Sequence, residues 1–332
     1  MQSNHTWAVI LAAGAGTRLA ALTADETGKH VPKQFCSLHG GPSLLGLALE
    51  RARRLVPDER VCAVVAKEHE TWWQSAPHQL HPGNTIVQPR NRGTGNGVLL
   101  ALAYILKRDP HARLIFLPAD HHVLAEETLI QIMAAMLAKL PARSSDIFLL
   151  GMEPESADPE LGYIIPQRAG QQNAQGVRHF VEKPSRGVAS KLIQEGGLWN
   201  SGIFAASATR LLELLKGRSP DDADSIVHAV AKVGDPANPS WALNHAYDRI
   251  SDVDFSHHIL QLRVADLQVV PVPQCGWSDL GTPERVTERM RLLSKNVFTR
   301  AKPAGETAFL DLGEAVLRAE KGENLAEAVM VG

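Results

Sequence analysis

The stretch ILAAGAGTRL, close to the start of the chain, places two glycines and an arginine directly after an apolar run. Glycine lets backbone N–H groups approach phosphate oxygens closely, and Arg18 adds a fixed fork of donors. A dinucleotide-binding fingerprint is not completed, because Leu19 occupies its last small-residue position, and the Gly28-Lys29 pair lacks the hydroxyl residue of a P-loop. The turn Gly14–Arg18 predicts a phosphate site of another kind; the alternative is a tight turn with a solvated arginine.

Four further charged residues stand at turns. Lys33 and Lys183 each adjoin a proline, which fixes the local backbone. Asp120 ends the apolar run in LPAD, and Asp279 lies between glycines in GWSDLG. Two carboxylates from distant segments suit a hard divalent cation that keeps several waters and bridges phosphates. The alternatives are surface lysines and ordinary turn or cap aspartates.

Residues that form other kinds of catalytic centre are not grouped in the sequence. The pairs His121-His122 and His257-His258 show no zinc spacing, and neighbours on a strand point to opposite faces. For the histidines we predict surface positions or contacts to residues that bind the ligand, and for the pair Trp72-Trp73 packing or surface roles. The three cysteines are far apart and form neither a metal motif nor a disulfide framework. The chemistry indicated is therefore electrostatic rather than nucleophilic catalysis by a side chain.

The first half of the chain alternates between apolar strands and amphipathic helices, which is typical of a mainly parallel sheet covered on both faces. Ligands of such sheets bind at the carboxyl ends of the strands. The glycine turn, the turn after Gln88 and the turn at Asp120 all fall there. The predicted strands are Trp7–Ala13, Arg60–Ala66, Asn84–Pro89, Ala112–Asp120 and Asp146–Gly151, and the predicted helices are Pro42–Leu55, Asn96–Arg108 and Glu126–Leu140.

The second half is more mixed. Short strands are predicted at Gly162–Pro166, Val177–Pro184 and Leu267–Pro273, and another at Leu198–Ala206 that is interrupted by Asn200-Ser201-Gly202. The pattern weakens near residue 295. We therefore predict an α/β domain over residues 1–294 and a short C-terminal extension over residues 295–332, which could contain a strand and a helix.

Composition narrows the class of protein. The chain has 332 residues, 44% hydrophobic, with a formal net charge of −2. That charge balance argues against a nucleic-acid surface, since phosphate-backbone binders carry a basic excess. Neither a signal peptide nor an apolar run of membrane-spanning length is evident. These features predict a cytoplasmic protein that acts on small molecules, with no nucleic-acid or membrane partner; a homo-oligomer is left open.

Six motifs occur in one order, GAGTRL, PKQF, LPADH, FVEKP, WNSGIF and GWSDLG. In this order they resemble the sugar-1-phosphate nucleotidylyltransferases, and most of all the mannose-1-phosphate guanylyltransferase branch. The resemblance extends from Trp7 to Arg289. It implies a Rossmann-like nucleotidyltransferase fold, with a central, mainly parallel sheet flanked by helices and a small mixed sugar-binding subregion. It also implies a Mg²⁺-dependent transfer of a nucleotidyl group from a nucleoside triphosphate to a sugar 1-phosphate, with release of pyrophosphate.

The resemblance assigns roles by position. The catalytic residues it implies are Arg18 and Lys33, at the α-phosphate, and Asp120 and Asp279, which would hold Mg²⁺. The nucleotide would contact Ala12, Ala13, Gly14, Gly16 and Thr17 at its phosphates, and Gln88, Pro89, Gly93 and Thr94 at its base. The sugar phosphate would contact Gly162, Glu182, Lys183 and Asn200, with Glu182 accepting hydrogen bonds from hydroxyls and Lys183 binding the phosphate.

Two stretches depart from this branch. The segment between Leu19 and Pro32 is longer than usual, and we expect it to form a mobile flap. In QPRNRGTGNG, Gln88 replaces the usual acid and Gly93 replaces an asparagine. A glutamine amide pairs less strongly with guanine and also serves other bases. Guanine and mannose are favoured. Uridylyl, adenylyl or thymidylyl transfer to another hexose 1-phosphate, a related glycosyltransferase and a non-catalytic nucleotide-sugar-binding regulator are the alternatives.

Overall fold

A nine-stranded sheet forms the centre of the computed structural model, with a two-stranded sheet beside it. The structure describes residues 5–24, 28–75, 80–81, 83–140, 146–170, 173–232, 234–296, 310–313 and 315–316. The strands are β1 (Thr6–Ala12), β2 (Cys36–Ser37), β3 (Val61–Ala66), β4 (Thr85–Gln88), β5 (Arg113–Pro118), β6 (Ile147–Met152), β7 (Tyr163–Pro166), β8 (Gln175–Val181), β9 (Leu198–Ser207), β10 (Leu267–Val272) and β11 (Leu310–Asp311). The helices are α1 (Leu44–Arg53), α2 (Glu70–Ser75), α3 (Gly93–Arg108), α4 (Glu126–Lys139), α5 (Arg186–Gln194), α6 (Ala208–Arg218), α7 (Pro220–Ala231), α8 (Trp241–Arg249) and α9 (Pro283–Asn296).

The strand order in the large sheet is β4-β3-β1-β5-β9-β6-β10-β8-β7. Strand β1 pairs in parallel with β3 and β5, β3 pairs in parallel with β4, and β6 pairs in parallel with β10. These pairings confirm the α/β architecture. Strand β9 comes from the mixed second half, yet it lies antiparallel between β5 and β6. Nothing in the sequence pattern indicated that central position.

Both faces of the sheet are covered by helices, which explains the continuous apolar runs in its strands. Ala8 and Ile10 of β1 pack with residues of α1 and α4 in one buried cluster, whereas Trp7 and Val9 pack with residues of α3, α6, α7 and α8 in the other. This division follows from the two-residue period of a strand. No helix in the described ranges has the length and hydropathy of a membrane span.

Helix boundaries differ from the prediction where local contacts decide them. Helix α1 begins after Ser43, whose hydroxyl accepts a hydrogen bond from the Gly46 N–H at 3.1 Å, as expected for an N-cap. Helix α3 begins at Gly93, three residues before the predicted start at Asn96. Its first turn lacks large apolar residues because it packs against the backbone of Val253, where a Cβ on Gly93 would collide.

The loops that carry the candidate residues meet at one edge of the sheet. Strands β1, β4 and β5 run parallel in the same part of the sheet, so the residues that follow them converge. A two-residue bridge joins the Asp120 and Asp279 turns: His122 and Ser278 exchange two backbone hydrogen bonds of 2.9 Å. Strand β9 is continuous rather than interrupted, but its pairing register shifts beside Asn200 and Gly202 has a positive φ of 69°.

Part of the predicted C-terminal extension packs on the large domain. Leu310 and Asp311 pair in parallel with β2, and Leu312 is fully buried. The predicted strand in this segment is therefore confirmed. Most of the remaining extension lies outside the described residues, and the boundary at residue 294 stays a prediction.

Candidate active site

A cavity of about 400 Å³ opens at the carboxyl ends of β1, β4 and β5. Its lining includes most of the residues predicted to bind the nucleotide, together with one predicted catalytic aspartate and one predicted sugar-binding residue. These are Ala12, Ala13, Gly14, Gly16, Gln88, Gly93, Thr94, Asp120 and Asn200. The structure thus gathers motifs from three separate strands and from β9 around one space.

The glycine turn is followed by a single 3-10 turn, Thr17–Leu19, rather than by a long helix. Gly16 has a φ of 63°, and a Cβ there would lie 3.2 Å from the Lys33 Cβ, so the position requires glycine. Thr17 and Pro89 are not among the residues that line the cavity. The Arg18 side chain is half exposed and donates to Glu160 Oε2 at 3.1 Å, so its role at a phosphate stays a prediction.

Lys33 links the two predicted carboxylate turns. Its residue is only 5% exposed. The ammonium Nζ lies 2.7 Å from Asp120 Oδ2 and donates to the backbone carbonyl of Asp279 at 2.5 Å. Burial opposes ionisation of Asp120, but the Lys33 ammonium outweighs it and holds the pKa of that carboxyl below its usual value. An ionised aspartate therefore lines the cavity, and the Lys33 ammonium contacts its carboxylate.

Asp279 is held by Gly281 of its own motif and by Arg285, which no motif indicated. Its Oδ1 accepts hydrogen bonds from the Gly281 N–H at 3.0 Å and from Arg285 Nη1, and Arg285 also binds Asp158. Burial alone would raise the pKa of Asp279, but Arg285 and Lys33 lower it by a larger amount, so the carboxyl stays ionised. Within the described ranges, no three His, Cys, Asp or Glu side chains cluster as a metal site.

The histidines after Asp120 occupy packed positions. His121 packs edge-on against Trp277 with ring centroids 5.2 Å apart, and its Nδ1 accepts from the Trp277 indole N–H at 3.2 Å. His122 is 6% exposed. Burial lowers the pKa of His121 to about 4 and that of His122 to about 3. Both imidazoles are therefore neutral at pH 7 and leave the local positive charge to Lys33.

The residues predicted to bind the sugar phosphate lie together beside the cavity. A Cβ on Gly162 would stand 2.5 Å from Glu182 Oε2, and the Gly162 carbonyl accepts from the Asn200 N–H at 2.8 Å. Glu182 Oε2 is buried without a hydrogen-bond partner in the described part of the chain. Burial, aided by Asp254, raises the pKa of Glu182, while Lys183 and His257 act in the opposite direction. A buried, unpaired carboxyl oxygen is a site for a hydroxyl donor.

Gln88 presents a second unpaired group. The residue ends β4, is 2% exposed and lines the cavity. Its amide Nε2 is buried and makes no hydrogen bond with any described residue. Thr94 also lines the cavity, and its Oγ1 accepts from the Phe255 N–H at 2.9 Å. An amide that offers both a donor and an acceptor fits the edge of a nucleobase.

The long segment between Leu19 and Pro32 contacts the glycine turn through His30, near the C-terminal end of the segment. His30 contacts the Thr23 hydroxyl at 2.5 Å and the Ala15 carbonyl at 3.0 Å. The Lys29 ammonium lies 4.4 Å from the Trp72 ring centre. Trp72 itself is 8% exposed and packs in the core, as predicted. Residues 25–27 lie outside the described ranges, so the flap hypothesis stays a prediction.

The glycine turn, the buried lysine and the two aspartates lie at the carboxyl edge of an α/β sheet, where ligands of such sheets bind. The model of the nucleotidyl transferase family matches residues 7–296, and the chain belongs to this family.

Curated proteins and a solved structure are similar to this chain. The mannose-1-phosphate guanylyltransferase of Escherichia coli (strain K12) is 29% identical over 291 residues, which cover 85% of this chain and 59% of the relative. The alginate biosynthesis protein AlgA of Pseudomonas fluorescens is 29% identical over 278 residues, 82% of this chain and 56% of the relative. The chain thus spans little more than half the length of these relatives. A Thermus thermophilus structure, described as a mannose-1-phosphate geranyltransferase, is similar with a TM-score of 0.72 and 28% identity, covering 86% of this chain and 79% of that one.

Proposed function

We propose that this chain transfers a guanylyl group from GTP to mannose 1-phosphate, releasing pyrophosphate and forming GDP-mannose, with Mg²⁺ as cofactor. The observation that carries the proposal is the buried Lys33 ammonium, which contacts Asp120 and the Asp279 backbone at the edge of a cavity lined by the glycine turn. The names of the 29%-identical relatives support the choice of substrates.

The reaction needs no general base. The attacking oxygen belongs to a phosphate monoester, whose second pKa is about 6 and which is therefore ionised at pH 7. The barrier comes from bringing two anions together in line, so cations and positioning supply the catalysis. Lys33 would neutralise charge that develops at the α-phosphate, and the Gly14–Thr17 backbone would orient the triphosphate. Arg18 would join them once it leaves Glu160, which it contacts in the structure.

Asp120 and Asp279 would hold the Mg²⁺ ion. They fit this role because both turns converge on Lys33 and both carboxyls stay ionised despite burial. Two carboxylate ligands leave most coordination positions to phosphate oxygens and water, the usual arrangement for Mg²⁺ with nucleotides. When bound, the ion would add positive charge at the phosphates that Lys33 is proposed to contact.

The sugar would lie beside Glu182, whose unpaired Oε2 would accept a hydroxyl hydrogen bond, while Asn200 would bind another hydroxyl and Lys183 the phosphate. Gly162 lies directly against the Glu182 carboxyl and near Asn200. Glycine is required here, because any Cβ would displace the Glu182 carboxyl.

A second candidate differs only in base or sugar. Gln88 stands where an acid would bind the guanine N1–H and amino group more strongly, and its amide also suits uracil, thymine or adenine. A non-catalytic regulator is disfavoured, since Arg18, Lys33, Asp120 and Asp279 are all present.

One experiment separates these candidates. Pyrophosphate release is measured with GTP, UTP, ATP and dTTP, each against mannose, glucose and galactose 1-phosphates, with Mg²⁺ and with excess chelator. The highest kcat/KM is expected for GTP with mannose 1-phosphate, with no turnover in chelator. Preference for another pair would replace the substrates, and turnover with none would contradict the transferase assignment.

A further inference from the structure

The guanidinium of Arg285 joins two carboxylates that lie far apart in the sequence. Nη1 donates to Asp279 Oδ1, while Nε donates to Asp158 Oδ2 at 3.0 Å and Nη2 contacts the same oxygen. The three side chains are between 13% and 18% exposed. Arg285 lies in the first turn of α9, only six residues beyond Asp279. A planar fork with several donors is needed for such a double contact, which a lysine cannot reproduce.

This contact fixes the orientation of the Asp279 carboxyl group. Oδ1 receives the Arg285 donor and the Gly281 N–H, whereas Oδ2 accepts no hydrogen bond from any described residue. Residue 281 must be glycine in this arrangement, because a Cβ there would lie 2.5 Å from Asp279 Oδ2 and 2.8 Å from Arg285 Nη1. One oxygen is thus committed to the protein, and the other is left for a ligand.

Asp158 is in turn anchored to the strands that carry the sugar site. Its backbone N–H donates to the Tyr163 hydroxyl at 2.9 Å, and that hydroxyl donates back to the Asp158 carbonyl at 3.0 Å. The Trp199 indole N–H donates to the same hydroxyl at 3.1 Å. Tyr163 and Trp199 adjoin Gly162 and Asn200 in sequence. An unbroken set of hydrogen bonds therefore runs from the Asp279 carboxyl to the sugar side of the site.

We propose that Arg285 is a positioning residue: it presents Asp279 Oδ2 to the divalent cation, and Asp158 holds Arg285 in that position. The inference rests on the metal-binding role given to Asp279 in the proposed function. Residues that orient a metal ligand typically change metal affinity by about 10–100-fold when removed. Asp158 acts only through Arg285, so its removal has no further effect once Arg285 is gone.

The test compares Arg285→Ala, Arg285→Lys, Asp158→Asn and the double variant Asp158→Asn/Arg285→Ala in the full chain. Three quantities are measured: the Mg²⁺ concentration that gives half-maximal turnover, the Kd for Mn²⁺ of the substrate-free protein by paramagnetic resonance, and the unfolding temperature. Arg285→Ala should raise both metal constants at least about 10-fold, with a smaller rise for Arg285→Lys and Asp158→Asn. The double variant should match Arg285→Ala. Arg291→Ala, on the same helix and 68% exposed, is the matched control and should leave both constants unchanged.

A purely structural role would lower the unfolding temperature of Arg285→Ala and leave both metal constants at the wild-type value, and that result would overturn the inference. If Arg285→Ala does not fold, unchanged constants in Arg285→Lys and Asp158→Asn overturn it equally. Absence of turnover in the wild-type protein would count against the proposed function instead. The Mn²⁺ constants need no turnover, so they decide the role of Arg285 in either case.

Discussion

Replacing Lys33 by methionine removes one charge from the centre of the site and little else. Methionine retains an unbranched stem of similar length, so the packing of this residue beneath Gly16 is largely preserved. The variant loses the 2.7 Å contact to Asp120 Oδ2 and the 2.5 Å hydrogen bond to the Asp279 carbonyl. Both predicted metal-holding turns therefore lose their shared cation.

The expected effects on rate and on stability differ in size. A preorganised charge at a reacting phosphate is worth about 10²–10³ in kcat, or about 3–4 kcal/mol of barrier. The stability cost is smaller, because the Asp120 side chain is 36% exposed and water can replace the ammonium. We expect about 1 kcal/mol, which lowers the unfolding temperature of a chain of this size by about 2–4 °C.

The assay is initial-rate pyrophosphate release at saturating GTP, mannose 1-phosphate and Mg²⁺, with thermal unfolding measured on the same preparations. Lys67→Met is the matched control, because its ammonium makes an exposed ion pair with Glu70 and is not part of the cavity lining. The control should keep the wild-type kcat. A Lys33→Met enzyme that is folded and retains kcat within about threefold would show that the ammonium does not act on the reacting phosphates.

Three further results are expected. Gln88→Ala should lower kcat/KM for GTP about 10-fold, because the amide proposed to bind the base is lost; an unchanged kcat/KM would contradict a role of Gln88 in base recognition. Glu182→Gln should raise KM for the sugar phosphate about 10-fold or more, with KM for GTP unchanged; equal effects on both would contradict a sugar-specific role. Burial, together with the electrostatic effect of His30, lowers the pKa of His69 to about 4. The folded state therefore favours the neutral imidazole. It carries no protonation penalty above about pH 6.5 but becomes less stable as the pH falls toward 4. Thermal unfolding should therefore show a smaller drop between pH 7 and pH 5 in His69→Phe than in wild type; equal drops would rule out His69 as a source.

The sequence predicted those parts of the site that follow directly from strand periodicity. Apolar runs ending near Gly14, Gln88 and Asp120 indicated parallel strands, and parallel strands bring their carboxyl ends to one edge. The glycine turn, the base-side loop and the aspartate therefore line one cavity in the structure. The order of the motifs supplied the residues of the second half, including Glu182 and Asn200.

Contacts between polar side chains that are distant along the chain leave no pattern in the sequence comparable to strand periodicity. Asp158 and Arg285 are 127 residues apart, and each looks like an ordinary charged residue in a loop or on a helix. The predicted start of α3 was wrong because the glycines of its first turn are required by close packing against Val253. That tertiary contact leaves no periodic pattern in the sequence. The central position of β9 is likewise a matter of topology, which its own residues do not encode.

The charges around Lys33 also bear on the divalent cation of the proposed reaction. Two fixed cations, Lys33 and Arg285, stand among three carboxylates, those of Asp120, Asp158 and Asp279. The cluster by itself therefore has no excess positive charge with which to hold a triphosphate. Arg18 is engaged with Glu160 outside the cavity lining. Charge that arrives with the substrate would strengthen the attraction of a polyanion to this edge, and the two ionised aspartates suit the proposed nucleotide-bound metal ion.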